Sequence, residues 1–108
     1  MPERDIRKAL KKRVEAYGGE IRAVAWLGRA HAPDVLALFP VGGAYALFHR
    51  LSFAVYGYAM LHPFIETKAP GGEPNDGQLR EHVRLREAGC GVMVISTFEQ
   101  LDEWLPPL

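Results

Sequence analysis

Phe64-Ile65-Glu66-Thr67-Lys68 decides how the rest of the chain is read. Its β-branched and aromatic residues predict a strand. The Pro70-Gly71-Gly72-Glu73-Pro74 segment behind it predicts a flexible turn. Strand side chains at i and i+2 share a face. Glu66 and Lys68 therefore project together, a carboxylate beside an ammonium, from one side of an apolar strand. A Glu-X-Lys pair on an edge strand is ordinarily a solvated ion pair of little energetic worth, so its meaning depends on what stands near it.

Downstream, Asn75 is placed to cap a helix, with Gln78 three residues on in capping-box position. That helix should run to about Ala88 and stop at Gly89, with His82 packed on a stripe near Leu79 and Val83. Residues 91–95 read as a short buried strand, and Cys90 before them as a small core residue. Thr97 can cap a last helix over 98–105 that buries Phe98, Leu101 and Leu105 and ends at Pro106-Pro107.

Upstream, Ile6, Ala9, Leu10, Val14 and Tyr17 fall at helical spacing and predict a helix over 3–17, stopped by Gly18-Gly19. Alternation predicts a strand at about 20–27. Gly28-Arg29-Ala30-His31-Ala32 reads as a turn, and Pro33 opens a buried strand over 34–39. Residues 41–62 do not declare themselves. They hold five of the eleven aromatics and one fully charged residue, Arg50, and fit a hairpin, an apolar helix or an association surface equally. The remaining order of strands and helices implies an α/β protein built around one sheet.

The chain has 108 residues, 48% hydrophobic and 24% charged, which is the profile of a single globular domain and excludes disorder as its main state. Lys plus Arg and Asp plus Glu are 13 each, so a strongly basic nucleic-acid coat is excluded, though a local patch is not. One cysteine allows neither an internal disulfide nor a cysteine-based zinc site. The N-terminal residues are rich in Lys and Arg where an export signal needs an apolar run. The longest apolar stretch, 51–61, is well short of the roughly 18 residues of a membrane span. A cytoplasmic protein with no membrane partner is expected.

Asp34, just after Pro33, stands at the mouth of one apolar strand, and Glu66 and Lys68 stand on another. Neighbouring strands would bring the three together. Carboxylates held close repel unless a cation lies between them, and Mg²⁺ is typically held by one or two carboxylates with water completing its shell. The Thr67 carbonyl can add an oxygen. The set therefore suits a hard divalent ion next to a phosphate. His31, His49, His62 and His82 show no ligand spacing, and His31 lies near enough to Asp34 to approach a substrate.

The combination of Pro33-Asp34 with Glu66-Thr67-Lys68, in this order of elements, resembles the PD-(D/E)XK nuclease superfamily and more closely its VRR-NUC family. The resemblance spans nearly the whole chain: Glu3 opening the first helix, the Gly28-Arg29 to Pro33-Asp34 segment, the 64–71 strand and turn, and Gln78 with the closing helix and strand. It implies a restriction-endonuclease-like α-β-β-β-α-β core with a C-terminal helix, covering 1–108 as one nuclease domain with an unusual apolar insertion at about 41–62. It implies a deoxyribonuclease using Mg²⁺ (or Mn²⁺), with Asp34, Glu66, Lys68 and Gln78 catalytic and Asp34, Glu66, Thr67 and Glu3 around the metal. Branched or junction DNA would be the substrate, a homodimer the working form, and a bacterial or phage-infected cell the setting. Arg4, Lys8, Lys11, Lys12, Arg29, Arg80 and Arg84 are the candidate phosphate contacts. One departure stands out. The family joins Pro-Asp to Glu-X-Lys by a short hairpin, and here 31 residues lie between Asp34 and Glu66. A non-catalytic DNA- or protein-binding module of the same fold is the alternative if that insertion parts the two carboxylates. A small scaffold protein using 44–61 as a contact surface is a third reading.

Overall fold

The computed structural model describes residues 2–40, 43, 45 and 61–108. The open reading of 41–62 therefore falls almost wholly outside the described residues. The observed order is α1 (Glu3–Ala16), β1 (Glu20–Ala23), β2 (Val35–Leu38), β3 (Phe64–Thr67), α2 (Asp76–Glu87), β4 (Val92–Ile95) and α3 (Phe98–Trp104). This is the expected α/β arrangement, with an antiparallel β1-β2-β3 meander extended by a parallel β3-β4 pair.

The helix α1 forms because its apolar positions recur every three to four residues, which puts Ile6, Leu10 and Val14 on one buried stripe. It ends where Gly18 takes a φ of +81°, a left-handed conformation that favours glycine. The stripe packs with Val35, Ala37 and Ile65 of the sheet and with Leu101, Trp104 and Leu105 of the last helix in one core. Tyr45 and Leu61, at the two ends of the long connection, join that core. The Tyr45 ring stacks on Phe39 with centroids 3.7 Å apart, and Trp104 Nε1 donates to its hydroxyl. Arg13 pairs with Asp102 at 2.7 Å, and the Tyr17 hydroxyl donates to the Pro106 carbonyl, so α1 also fixes the C-terminal segment.

Three local expectations change. The first strand stops at Ala23 rather than 27: beyond it the backbone ladder is down to Val24 N–H bonded to the Asp34 carbonyl, and the Trp26 side chain takes over by donating from Nε1 to the Pro33 carbonyl. Phe98 is 38% exposed, and Trp104 takes the buried place assigned to it. A seven-residue helix buries one narrow face, and here that face is set by Leu101 and Trp104. In α2 the Leu79–His82–Val83 stripe does not exist: Leu79 and Val83 are exposed and His82 is the buried residue. Cys90 is half-buried and free.

Candidate active site

Alternation along β3 sends Ile65 and Thr67 toward α1, and Phe64 and Glu66 toward the opposite face, where α2 lies. Glu66 is 7% exposed and meets the buried His82 of α2, Nε2 to Oε1 at 3.4 Å. Burial is the main reason the Glu66 carboxyl titrates above the usual carboxylate range. Lys68 opposes that rise, the Asp34 and Glu3 carboxylates add to it, and Arg7 opposes it again. Burial, then the charges of Arg86 and Lys68, push the His82 imidazole down, which keeps it neutral at pH 7. A neutral ring with its proton on Nε2 donates to Glu66.

The register answers the question raised by the long connection. Val35 faces Ile65 and Leu36 faces Phe64 across the antiparallel β2-β3 pair. β2 begins at Val35, so Asp34 directly precedes the paired residues, and continuing the same register by one step brings it across from Glu66. The insertion therefore leaves the two carboxylates at the same end of neighbouring strands. Lys68 follows immediately, its N–H bonded to the Ile95 carbonyl and its side chain on the Glu66 side of the strand.

From the α1 side comes a second group. The Thr67 hydroxyl donates to Glu3 Oε1 at 2.9 Å and accepts from Arg7 Nε at 2.9 Å. The same guanidinium reaches Asp34, with Nη2 at 3.2 and 3.3 Å from its two carboxylate oxygens, and lies 3.6 Å from Glu3. Thr67, expected to contribute through its carbonyl, is thus engaged through its side chain. Arg7 was not singled out from the sequence. The signal was there: Glu3, Arg7, Leu10 and Val14 run along one helical stripe, so the charges continue a buried face. His82 was read as packing, and its place four residues after Gln78 said nothing of Glu66.

Gln78 forms the expected capping box with Asn75, both bonds at 2.9 Å, and these are its hydrogen bonds within the structure. The 28–34 turn is held against α2. Arg29 and Arg84 share Glu81 at 3.4 and 3.3 Å, and a Cβ on Gly77 would stand 2.7 Å from the His31 ring. His31 itself has a left-handed φ of 68°. The expected basic residues thus divide in two. Arg4, Lys8, Lys11 and Lys12 are exposed on α1, while Arg29, Arg80 and Arg84 belong to the α2 side. Lys8 and Lys11, with Arg7 and Arg22, line a groove of about 480 Å³ between α1 and β1 that ends at Asp34.

Glu3, Asp34 and Glu66 offer only oxygen, the donor type of a hard divalent cation. Three carboxylates against Arg7 and Lys68 leave a local charge of minus one, which a divalent ion would offset. Among the described residues no three His, Cys, Asp or Glu side chains are yet gathered into a ligand set, and Arg7 lies between Asp34 and Glu3.

No protein-family model matches the chain. It is 33% identical over 104 residues to "Putative nuclease p44" of Acyrthosiphon pisum secondary endosymbiont phage 1, which covers 96% of this chain and 91% of that one. A solved structure described as "VRR_NUC domain" superposes with a TM-score of 0.71 at 33% identity, covering 94% of this chain and 90% of that one.

Proposed function

The chain belongs to the VRR-NUC family of nucleases, and we propose that it is a divalent-metal-dependent DNA endonuclease acting at the Asp34–Glu66–Lys68 end of the sheet. The observation that supports this reading is the β2-β3 register, Val35 on Ile65 and Leu36 on Phe64, which continued by one residue brings Asp34 across from Glu66, with Lys68 two residues on. Glu66 and Asp34 would hold Mg²⁺ or Mn²⁺, with Glu3 and the Thr67 carbonyl beside it. When bound, such an ion lowers the pKa of a water and polarises a phosphate oxygen.

The chain's own residues do the rest. Lys68 places a positive charge next to the Glu66 carboxylate and so faces both the attacking water and the charge gathering on phosphate. His82 donates to Glu66 and fixes its rotamer in a buried setting. Water's oxygen bonds to phosphorus, one ester P–O bond breaks, and the departing sugar oxygen takes up a proton. Gln78 supports the site indirectly by fixing the start of α2. Arg4, Lys8, Lys11 and Lys12 hold phosphates from the α1 side, and Arg29, Arg80 and Arg84 from the α2 side. No base-reading motif stands among them, which favours recognition of backbone shape, as on branched DNA. Two copies would place two such centres against two strands.

The test is cleavage of labelled duplex, single-strand, flap and four-way-junction DNA with Mg²⁺, Mn²⁺ or EDTA. The wild type should yield metal-dependent products, most from the branched substrates. Lys68→Ala should lose at least about 10²-fold in rate with an unchanged circular-dichroism spectrum. Absence of products in every lane, with DNA binding retained, would leave the binding module of the same fold.

A further inference from the structure

Arg7 makes more contacts with the acidic end of the sheet than any of the residues assigned there from the sequence. Its Nε–H donates to Thr67, its Nη2 to both oxygens of Asp34, and the same nitrogen stands 3.6 Å from Glu3. One guanidinium nitrogen shared between the two Asp34 oxygens makes a charge-assisted contact that is weaker than a two-nitrogen fork and can be exchanged. The guanidinium also fills the space between two of the three carboxylates, and with it there no three acidic side chains form a ligand set among the described residues. On its other side Arg7 lines the open groove between α1 and β1, together with Lys8, Lys11 and Arg22. The side chain is 45% exposed, so a swing from Asp34 into that groove needs no repacking of the core.

We propose that Arg7 is a built-in counter-ion that competes with the divalent cation for Asp34 and Glu3, and that metal entry turns its guanidinium into the groove, where it meets a substrate phosphate. The proposal rests on the metal-dependent reading above. It makes the metal-free centre electrostatically closed. It also couples cation and substrate, since whatever draws the guanidinium into the groove frees the carboxylates for metal, and the converse holds by linkage.

The experiment measures Mn²⁺ binding calorimetrically on the DNA-free protein, wild type against Arg7→Met and Arg7→Gln. Both variants keep a stem of similar length and lose the charge. The expected result is binding roughly five- to tenfold tighter in both, with phosphodiester cleavage at saturating Mn²⁺ slower than wild type. A wild-type measurement covers the case in which the variants unfold. The Arg7 Nε–H resonance, bonded to Thr67 without metal, should shift as Mg²⁺ is added. Unchanged or weaker Mn²⁺ binding in the folded variants, or an Nε–H resonance unmoved while Glu66 and Asp34 signals shift, overturns the proposal. So does a lack of Mn²⁺ binding in all three proteins. Because the readout is free of DNA, tighter binding in the variants upholds the counter-ion even if the wild type cleaves nothing.

Discussion

On its α1 side, β3 meets a continuous apolar core, and the polar groups at the end of that face are tied to one another: Glu3, Arg7 and Thr67 close a ring of two hydrogen bonds and an ion pair, and Arg7 reaches on to Asp34 just before β2. On its α2 side the same strand presents Glu66 to a single buried histidine at 3.4 Å, and α2 leaves Leu79 and Val83 exposed. One face satisfies its charges, and the other keeps a carboxylate that burial disfavours and that forms no ion pair with a Lys or Arg among the described residues. The contrast separates two jobs. The satisfied side holds the architecture of the site, and the unsatisfied side stores an electrostatic cost that the cation proposed above would relieve.

The largest effects should come from the carboxylates, and with opposite side effects. Asp34→Asn and Glu66→Gln should each reduce cleavage by about 10³-fold, within the range for groups that hold reacting atoms. Their stabilities should diverge. Glu66→Gln removes a buried charge and should raise the melting temperature of the metal-free protein at pH 7, whereas Asp34→Asn loses the Arg7 ion pair and should lower it or leave it unchanged. Thermal denaturation in EDTA reads the difference. Equal shifts would mean that the two faces are not built differently.

A middle-sized effect is expected at His82. His82→Ala leaves a void and an unpaired carboxylate, and should cost about 10–100-fold in metal affinity or activity. His82→Gln keeps a donor and should recover part of it. Loss of stability in His82→Ala with metal affinity intact would make His82 a packing residue only. A smaller effect is expected at Thr67. Thr67→Val keeps the shape of a side chain that is 1% exposed and removes the hydroxyl shared by Glu3 and Arg7. The expected cost is about 0.5–1.5 kcal/mol in urea denaturation, the net worth of an ordinary hydrogen bond, because Arg7 and Glu3 stay within reach of water.

How much of this was legible follows the same division. The α1 stripe, the strand that carries Glu66, and the capping box of Asn75 and Gln78 are local patterns with fixed periods, and the structure has them as read. The α/β order followed from them. What could not be read was anything that needs two distant segments at once. Arg7 and Asp34 are 27 residues apart in the chain and Arg7 and Thr67 60 apart, so their contacts exist only once β2, β3 and α1 are assembled. His82 is packed as read, but its partner was not legible for the same reason: a helix wheel shows which residues share a face, and it does not show that the sheet beneath carries a buried glutamate. Phe98 was misread because seven residues cover barely two turns, too few for periodicity to choose between Phe98 and Trp104. Asp34 was read as Glu66's companion on the condition that their strands neighbour each other, and the family resemblance agreed with it. The register supplies the physical reason, and it holds despite a connection whose residues 46–60 lie outside the described structure.

The finest prediction concerns pH. His82 is held below its usual pKa of 6.5, first by burial and then by Arg86 and Lys68. A histidine with a depressed folded-state pKa contributes stability that is fully present above its unfolded value and is lost as pH falls through the folded value. Below about 6.5 the unfolded chain binds the proton more readily than the folded one. Glu66 acts in the other sense. Its raised pKa makes the charged form a burden above the folded value, and acidification relieves it. Where the two titrations overlap, below 6.5 and above 4.5, the two slopes oppose each other in the wild type, so the metal-free protein should show a flatter stability profile than either single variant. His82→Gln should keep only the Glu66 slope and gain stability on acidification. Glu66→Gln should keep only the His82 slope and lose it. Urea midpoints at pH 7, 6 and 5 in EDTA distinguish these. Parallel profiles in all three proteins would show that the buried pair does not titrate as placed, and the contrast between the two faces would then rest on geometry alone.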